Sequence, residues 1–273
     1  MAINETVLEM HYHRSLMDLF RETFGLGPGG LMNFYKYSPQ KECFVGFDQA
    51  YVMTDLGVDE FFDILKRSAM SNNYRLREVF VGYFLQFKVV KPMQKWTRYT
   101  PPQVVNRPYY RADVDTKKNM YTGLSQHELL FNLSRNQGAM VYYACPMLFE
   151  RSELYSVEVD LEKLRLADLQ SCPESYSDND NHFIFFNGVN DVPIWRSEPI
   201  IGEAVSPLAF AHLLLQRVMA LQPVESVKAL FDILTNVEAV GLSEQAKYFE
   251  GKQRRDILEL THDSLTILRI RRG

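Results

Sequence analysis

The feature that most constrains the fold is a run of aromatic and β-branched residues from position 79 to position 90. Such side chains favour extended backbone because they pack well on the surface of a pleated sheet. Within this run, Gln86 and Lys88 stand two positions apart among apolar neighbours. Residues two apart on a strand point to the same face. The pattern therefore predicts a strand on which Gln86 and Lys88 share one face.

Lys88 is an unusual residue for so apolar a strand, because lysine is rarely buried without a partner. A carboxylate on a neighbouring strand is the expected partner. Asp48 meets this requirement, since it follows Gly46 and Phe47 within a second predicted strand. The alternative is an exposed lysine on an edge strand, and the sequence leaves both open.

Helices and strands alternate along the first half of the chain. An amphipathic helix is predicted over residues 5–24, with Asn4 as its N-cap and the glycine-rich residues 25–30 at its end. The elements expected after it are strands at 31–37 and 43–53, a helix at 56–70, the strand at 79–90, a strand at 109–114, a helix at 125–136 and a strand at 139–145. This order predicts an α/β fold.

The second half of the chain has a weaker pattern. An α/β mixture continues to about residue 186, helices are predicted at 207–221 and 225–240, and a last strand is predicted at 258–270. We therefore expect a core over residues 1–147. An α/β to mostly helical extension over residues 148–273 is expected to pack on it.

Charge is unevenly distributed along the sequence. The chain has 30 Lys and Arg against 34 Asp and Glu, a formal net charge of −4, yet residues 79–112 contain no acidic residue. The basic residues of that stretch are Lys88, Lys91, Lys95, Arg98, Arg107 and Arg111. A local basic surface attracts a polyanion even on an acidic protein. The alternative is that the aromatic residues form core and the basic residues only line its rim.

A carboxylate and a Gln-X-Lys triplet on adjacent strands suit the cleavage of a phosphodiester. This chemistry needs oxygen ligands for a divalent metal ion and a cation near the phosphate, where negative charge develops. Glu9 on the first helix, residues 42–48 ending in Asp48, and Leu85-Gln86-Phe87-Lys88 together resemble the PD-(D/E)XK nuclease superfamily in its Gln-X-Lys variant. The resemblance covers about residues 5–145, and residues 125–130 and 141–146 are similar to segments that follow the triplet in bacterial proteins of this type.

The resemblance implies a restriction-endonuclease-like core of a helix, three strands, a helix and a strand. It also implies that Asp48 is a direct metal ligand, that Gln86 replaces an acidic ligand, and that Lys88 stabilises charge at the phosphate. Glu9 would be an acidic helper, so Asp48, Gln86 and Glu9 would together hold Mg²⁺ or Mn²⁺. Glu42 is a less favoured second carboxylate, because it would lie about 20 Å from Asp48 along a straight strand.

The function implied is Mg²⁺-dependent hydrolysis of nucleic acid, DNA in the first place, by a bacterial anti-phage or restriction-type effector. The residues expected to hold the nucleic-acid backbone are Lys91, Lys95, Arg98, Arg107 and Arg111. The sequence leaves open whether the protein acts with a protein activator, with a partner subunit or as a homodimer. Because Gln86 is neutral, a non-catalytic module of the same fold that binds nucleic acid or protein is the alternative. A third interpretation is a scaffold in which residues 79–90 are simply a core strand.

Other features bear on the compartment and on one histidine. No apolar run approaches the roughly 18 residues of a membrane-spanning helix. The first residues lack the basic and then apolar pattern of a secretory signal. Three cysteines without a close pair argue against a disulfide framework or a zinc cluster, so we expect a reduced, cytoplasmic protein. His127, near a predicted helix start, is expected either to contact phosphate or to be a buried structural histidine.

Overall fold

The structure is a computed structural model that describes residues 4–25, 33–36, 49–53, 78–81, 83–118, 123–135, 140–155, 159–176, 178, 180–196, 199–220 and 267–271. Within these residues the protein is mixed α/β, with two sheets and three α-helices. The predicted α/β class is therefore confirmed. Among the helices of the described ranges, none combines the length and the hydrophobicity of a membrane span.

Local capping interactions define where two of the helices begin. The α-helices are α1 (Glu5–Thr23), α2 (Gln126–Ser134) and α3 (Pro207–Ala220), with short 3-10 helices at Arg151–Tyr155, Leu161–Lys163 and Leu169–Ser171. Asn4 Oδ1 accepts a hydrogen bond from the Val7 N–H at 2.9 Å, and Gly25, with a φ of 64°, follows the end of α1. Ser125 and Glu128 form a capping box at the start of α2. Caps satisfy backbone groups that a helix end leaves unpaired, so the sequence locates these ends correctly.

The strands form one larger and one smaller sheet. In chain order they are β1 (Asn33–Lys36), β2 (Gln49–Met53), β3 (Glu78–Val81), β4 (Tyr83–Phe87), β5 (Val90–Met93), β6 (Tyr109–Val114), β7 (Met140–Pro146), β8 (Leu164–Asp168), β9 (His182–Phe186), β10 (Ile194–Arg196), β11 (Ile200–Ile201), β12 (Ala204–Val205) and β13 (Ile267–Arg271). The larger sheet has the order β12-β8-β7-β4-β2-β13-β3, with β1 paired to β2 beside this path. The smaller sheet is antiparallel, with the order β11-β10-β9-β6-β5.

Strand β4, which carries Gln86, lies inside the larger sheet. It runs parallel to β7 over its whole length and antiparallel to β2, where Gln49 pairs with Leu85. Both neighbours are strands of the sheet, so β4 is not an edge strand. This position explains why its residues are all buried.

The run predicted as one strand over residues 79–90 is divided among three strands, so that prediction was wrong. Strand β3 pairs with β13, β4 pairs with β2 and β7, and β5 pairs with β6 in the smaller sheet. The chain passes from the larger sheet to the smaller one at Lys88 and Val89. Periodicity along a sequence records which residues prefer a strand but not which strand each will pair with.

Apolar cores lie on both faces of the larger sheet. On one face, Phe20 of α1 and Phe210 of α3 contact the Tyr83 ring edge to face, at centroid distances of 5.5 and 5.3 Å. On the other face, Phe84 shares a core with residues of α2 and of the smaller sheet. Strand geometry makes side chains alternate between these faces, so Gln86 points, like Phe84, between the two sheets.

The described part of residues 148–273 mixes strands and helices. It holds strands β8 to β13, the α-helix α3 and the three 3-10 helices, which agrees with the α/β part of the expected extension. Short strands such as β8 and β9 give little periodic signal, which is why the sequence did not separate them from helix. Strand β8 pairs with β7 and β9 pairs with β6, so both sheets draw strands from either side of residue 147. The helices predicted at 56–70 and 225–240 lie outside the described residues.

Candidate active site at the end of strand β4

Lys88 lies where the chain leaves the larger sheet. Its backbone N–H donates to the Ala144 carbonyl of β7 at 2.9 Å, which extends the pairing of β4 with β7 beyond Phe87. The alternation of the strand therefore continues to Lys88. Gln86 and Lys88 share the face that points between the two sheets, as their spacing predicts.

The ammonium group of Lys88 is buried and has three partners from three different elements. The residue is 3% exposed, and its Nζ donates to Oε1 of Gln126 on α2 at 2.7 Å. The same Nζ lies 3.8 Å from Oε1 of Glu5 on α1 and 5.4 Å from the ring centroid of Tyr143 on β7, which is within cation–π range. The alternative of an exposed edge-strand lysine is therefore wrong.

Gln86 is buried within β4. Its side chain has no exposed surface, and Nε2 donates to the backbone carbonyl of Phe87 at 3.3 Å. Its backbone pairs with Tyr143 of β7, the residue whose ring contacts Lys88. An amide and an ammonium group are thus presented side by side at the end of β4.

Two acidic residues of α1 lie one helical turn apart near this end of the sheet. Glu9, the predicted acidic helper, is buried and 2% exposed. Glu5 is the first residue of α1, and its carboxylate is the one found beside Lys88. Residues four apart share a helix face, so Glu5 and Glu9 lie on the same side of α1.

Asp48 and Glu42 lie outside the described residues. The separation of Asp48 from Lys88, on which the predicted metal site depends, therefore stays a prediction. The described residue next to Asp48 in the sequence is Gln49, which pairs with Leu85, the residue before Gln86.

A polar cavity of about 810 Å³ is lined by Lys88, Glu5 and Gln126 together with the ends of strands β6 and β9. This volume falls within the range of about 300–1,000 Å³ that is typical of small-molecule sites. The other charged or titratable residues of its lining are Arg111, Lys117, Asp113, Asp115, Asp180, His182 and Tyr99. The cavity thus presents cations and carboxylates together, and Lys88 is a buried residue of its lining.

The predicted metal ligands suit Mg²⁺ or Mn²⁺ in type. Both ions prefer carboxylate and amide oxygens, and Asp48, Glu9 and Gln86 all carry such oxygens. In the part of the chain that the structure describes, no three His, Cys, Asp or Glu side chains are grouped so as to hold a metal ion. This finding does not cover Asp48, the predicted direct ligand, because Asp48 lies outside the described residues.

The expected backbone-binding residues fall into two groups. Lys91 on β5 and Arg111 on β6 are register partners, and both pair with Asp113, with N–O distances of 2.6 and 3.5 Å. Asp113 directly follows residues 79–112, which contain no acidic residue. Because Asp113 pairs with two cations of that stretch, the absence of acidic residues from the stretch does not leave those cations unpaired. These two cations are partly neutralised in the folded protein.

The other three predicted cations lie on the loop of residues 94–108. Lys95, Arg98 and Arg107 are exposed, and within the described ranges none of them is ion-paired. The Arg98 side chain lies over the Tyr99 ring, and Arg107 lies over the ring of Trp96 with its guanidinium carbon 3.7 Å from the centroid. Of the five predicted residues, the three on this loop are therefore exposed without an ion-pair partner in the described part of the chain.

His127 is a buried structural residue. Its Nε2 lies 3.0 Å from the Glu174 carbonyl, which can only accept, so Nε2 carries the proton and Nδ1 accepts from the Tyr143 hydroxyl at 2.8 Å. Burial lowers the pKa of His127 to about 4 and raises the pKa of Tyr143 well above its ordinary value. With both ring nitrogens bonded inside the protein, His127 has no nitrogen left for a phosphate. The structural interpretation is the one that agrees with these contacts.

Sequence reasoning missed Glu5, Gln126 and Asp113. Glu5 and Gln126 are each the first residue of a helix, and the caps Asn4 and Ser125 mark those helix starts. The caps could have located the two residues along the chain. Nothing in the sequence indicates that both helix starts meet the same lysine, because that depends on how α1 and α2 pack on the larger sheet.

Comparison of the chain with protein-family models, with curated proteins and with solved structures finds no match in any of the three.

Proposed function

We propose that this protein is a metal-dependent nuclease that hydrolyses phosphodiester bonds of nucleic acid, DNA in the first place, at a site formed by Asp48, Gln86, Lys88 and Glu9. The observation that carries the proposal is the burial of Lys88 at the edge of a polar cavity, next to Gln86 on one strand face. The proposed setting is a bacterial anti-phage or restriction-type effector, with a protein activator or a partner subunit as its regulator.

A buried lysine is a costly feature for a purely structural purpose. Removing an ammonium group from water is unfavourable, and an apolar side chain of similar size often stabilises a core better. Lysines are therefore seldom buried without a partner, and charged groups held in a cleft are frequent at functional sites. Lys88, which is buried and lines the cavity, fits this description.

The contacts of Lys88 define what the side chain can do. Gln126 accepts one of its three N–H groups, and the Glu5 carboxylate lies nearby at 3.8 Å, so the side chain is held in one orientation. Its remaining donors are available to a phosphate oxygen that enters the cavity. A fixed donor of this kind stabilises the negative charge that develops on the phosphate during hydrolysis.

The metal ion, when bound by Asp48, Gln86 and Glu9, would act as a Lewis acid and would lower the pKa of the attacking water. Gln86 contributes an oxygen but no charge, so the two carboxylates must supply the negative charge of the ligand set. We therefore expect the loss of the Asp48 carboxylate to weaken metal binding more than the loss of any other proposed ligand.

The order of elements supports a restriction-endonuclease-like core. In the larger sheet and its helices, α1 is followed by β1, β2 and β4, then by α2 and β7, which is a helix, three strands, a helix and a strand. Strand β3 and the strands of the smaller sheet are additions to that order. The Gln-X-Lys triplet lies at the end of the third strand of the series.

A plasmid-cleavage assay tests the proposal. Purified protein is incubated with supercoiled plasmid and Mg²⁺ or Mn²⁺, beside the variants Lys88→Ala and Asp48→Ala. We expect both substitutions to reduce cutting by about 100-fold or more, since each removes a group that stabilises the transition state. The matched control is Lys163→Ala, which removes an ammonium group paired with Glu153 outside the cavity lining and should cut like the wild type. Cutting that survives both Lys88→Ala and Asp48→Ala would contradict the proposed site.

One observation favours a non-catalytic module as a second candidate. Gln86 is neutral and fully buried, and its amide nitrogen is already bonded to the Phe87 carbonyl. If no form of the protein cuts any substrate while wild type and variants bind nucleic acid equally, this candidate is favoured and cleavage by the protein without an activator is rejected.

A further inference from the structure

The loop of residues 94–108 presents an aromatic ring and three cations outside the candidate active site. We call Trp96 with Lys95, Arg98 and Arg107 the Trp96 platform. Trp96 is 55% exposed, whereas Trp195, the other tryptophan of the chain, has no exposed surface. The indole is therefore accessible to a ligand at a place where three exposed cations lie on the same loop.

The geometry of the platform leaves the indole accessible. The guanidinium group of Arg107 covers one ring face, with its central carbon 3.7 Å from the centroid. With that contact in place more than half of Trp96 is still exposed, so part of the indole is open to a ligand.

The loop that carries the platform is tied to the protein body at several points. The Tyr109 hydroxyl donates to the Lys95 carbonyl at 2.8 Å, and Val104 is buried in a core with residues of the smaller sheet. Farther along, the Val105 N–H donates to Asn187 at 2.8 Å, and Asn187 donates to the Gln103 carbonyl at 2.9 Å. Trp96 is therefore held in position before any ligand arrives, which lowers the entropic cost of binding.

The charge of the platform selects the class of ligand. Residues 79–112 contain no acidic residue, and Lys95, Arg98 and Arg107 have no ion-pair partner within the described ranges. Lys91 and Arg111, in contrast, share Asp113. A flat aromatic surface surrounded by unneutralised cations suits a ligand that alternates planar rings and anionic groups.

We propose that the Trp96 platform binds single-stranded nucleic acid by stacking a base on Trp96 while Lys95, Arg98 and Arg107 contact the adjacent phosphates. In a duplex the faces of the bases are covered by their neighbours, so stacking on a side chain requires an unpaired segment. The inference rests on the proposed function, because the platform would select the substrate of the proposed nuclease. That substrate would be nucleic acid with unpaired strands, ends or gaps, which the platform would place near the cavity.

Intrinsic fluorescence tests the inference without requiring cleavage. The full chain is titrated in EDTA with an oligothymidylate of about 12 nucleotides. The matched probe is an oligomer of equal length with the same phosphates but no bases. Because Trp195 is buried, the iodide-accessible emission comes from Trp96. We expect the oligothymidylate to remove most of that emission and the abasic oligomer to leave it in place.

Substitutions separate stacking from charge. Trp96→Ala should weaken oligothymidylate binding by about tenfold or more, and Trp96→Phe by less, because it keeps a ring. Neither should change binding of the abasic oligomer. Tyr155→Ala removes an aromatic that is 71% exposed elsewhere and should leave both affinities unchanged. Because Trp96 is exposed, its replacement should not disturb folding, which far-ultraviolet circular dichroism checks.

The outcomes distinguish this inference from the proposed function. The inference is wrong if Trp96→Ala prefers oligothymidylate over the abasic oligomer by the same factor as the wild type does. It is also wrong if neither oligomer quenches the emission of the exposed indole. In both cases the platform does not stack bases. Plasmid cutting could then still occur. Quenching by oligothymidylate together with a complete lack of cutting would support the platform and reject cleavage by the protein without an activator.

Discussion

Among single residues, Lys88 combines burial with a position on a polar cavity. Its partners are a neutral amide, a half-exposed carboxylate and an aromatic ring, so the ammonium group is held mainly by neutral or solvent-accessible groups. These interactions are weaker than those of a buried ion pair. They do not offset the full free-energy cost of removing the ammonium group from water. We therefore expect Lys88 to serve activity at some expense of stability.

Substitution Lys88→Met tests this expectation. Methionine has a similar length without the charge, and both Glu5 and Gln126 retain access to water when the ammonium group is gone. The free energy of unfolding should stay equal or rise by about 1 kcal/mol, while plasmid cutting should be lost. Urea unfolding of the wild type, Lys88→Met and Lys163→Met measures the change, the last being a control at a partly buried ion pair outside the cavity lining. A loss of stability larger than about 1 kcal/mol would mean that Lys88 is a structural residue.

His127 makes the stability of the protein dependent on pH. Burial lowers its pKa to about 4 from an ordinary value of 6.5, so the unfolded chain binds a proton at a higher pH than the folded protein does. The stabilisation is therefore complete above pH 6.5 and is lost as the pH falls towards 4. Between pH 7 and pH 5 this single group should reduce the free energy of unfolding by about 2 kcal/mol.

Unfolding measured across that pH range in His127→Gln isolates the contribution. The variant should be less stable at pH 7 because it loses the bonds of the ring, yet its stability should fall less on acidification. His212→Gln, at an exposed position of α3, is the control and should follow the wild type. Equal pH dependence in the wild type and His127→Gln would show that His127 is protonated as readily in the folded protein as in the unfolded chain.

At the scale of elements, the connection between β10 and β12 depends on close packing around Gly202. Its N–H donates to the Pro193 carbonyl at 2.7 Å. A Cβ atom at this position would overlap Nε1 of Trp195 and would lie 2.7 Å from Oγ of Ser171. The indole N–H donates to this hydroxyl at 3.1 Å, so the glycine leaves room for a partly buried hydrogen bond that joins β10 to the 3-10 helix Leu169–Ser171.

Substitution Gly202→Ala should therefore destabilise the protein by about 1–3 kcal/mol, the usual cost of overpacking a buried site. Thermal unfolding measures the loss, and a shift in Trp195 emission should accompany it because the indole is displaced from its partner. Gly188→Ala is the matched control, since its nearest neighbour would be the exposed and adjustable carboxylate of Asp191 at 3.2 Å. If the two substitutions have equal effects, the packing around Trp195 is looser than described here.

Elements also differ in how well their sequences predict them. Helices α1 and α2 follow from caps and apolar periodicity, and β6 occupies the residues predicted for it, because these signals act over a few neighbouring residues. The run over residues 79–90 was correctly expected to be extended and wrongly expected to be one strand. The run is divided after Phe87 because residues 83–87 pair with β7, whereas the strand that begins at Val90 pairs with β6.

For the whole molecule, tertiary structure redistributes the positive charge. Asp113 neutralises Lys91 and Arg111, while Lys95, Arg98 and Arg107 remain on an exposed loop. Release of counterions from phosphates makes nucleic-acid binding weaken as salt rises, with a slope set by the number of phosphate contacts. The loop should therefore determine the salt dependence of binding.

Measurement of oligothymidylate affinity against salt concentration tests this distribution of charge. Arg98→Ala should lower the slope of log affinity against log salt by about 0.7, the value for one contact with a single strand. Lys91→Ala should change the slope little, because Asp113 already holds that ammonium group at 2.6 Å. An equal reduction in both variants would place strand β5 within the binding surface as well.

The sequence alone determined the α/β class, the ends of α1 and α2, the extended state of residues 83–87 and the shared face of Gln86 and Lys88. All of these depend on backbone preference, capping and alternation between near neighbours. Tertiary structure decided that the 79–90 run serves two sheets, that Glu5 and Gln126 meet Lys88, and that Asp113 neutralises two of the predicted cations. Contacts between residues far apart in the chain depend on how sheets and helices pack against each other, and no local pattern of residues encodes that packing.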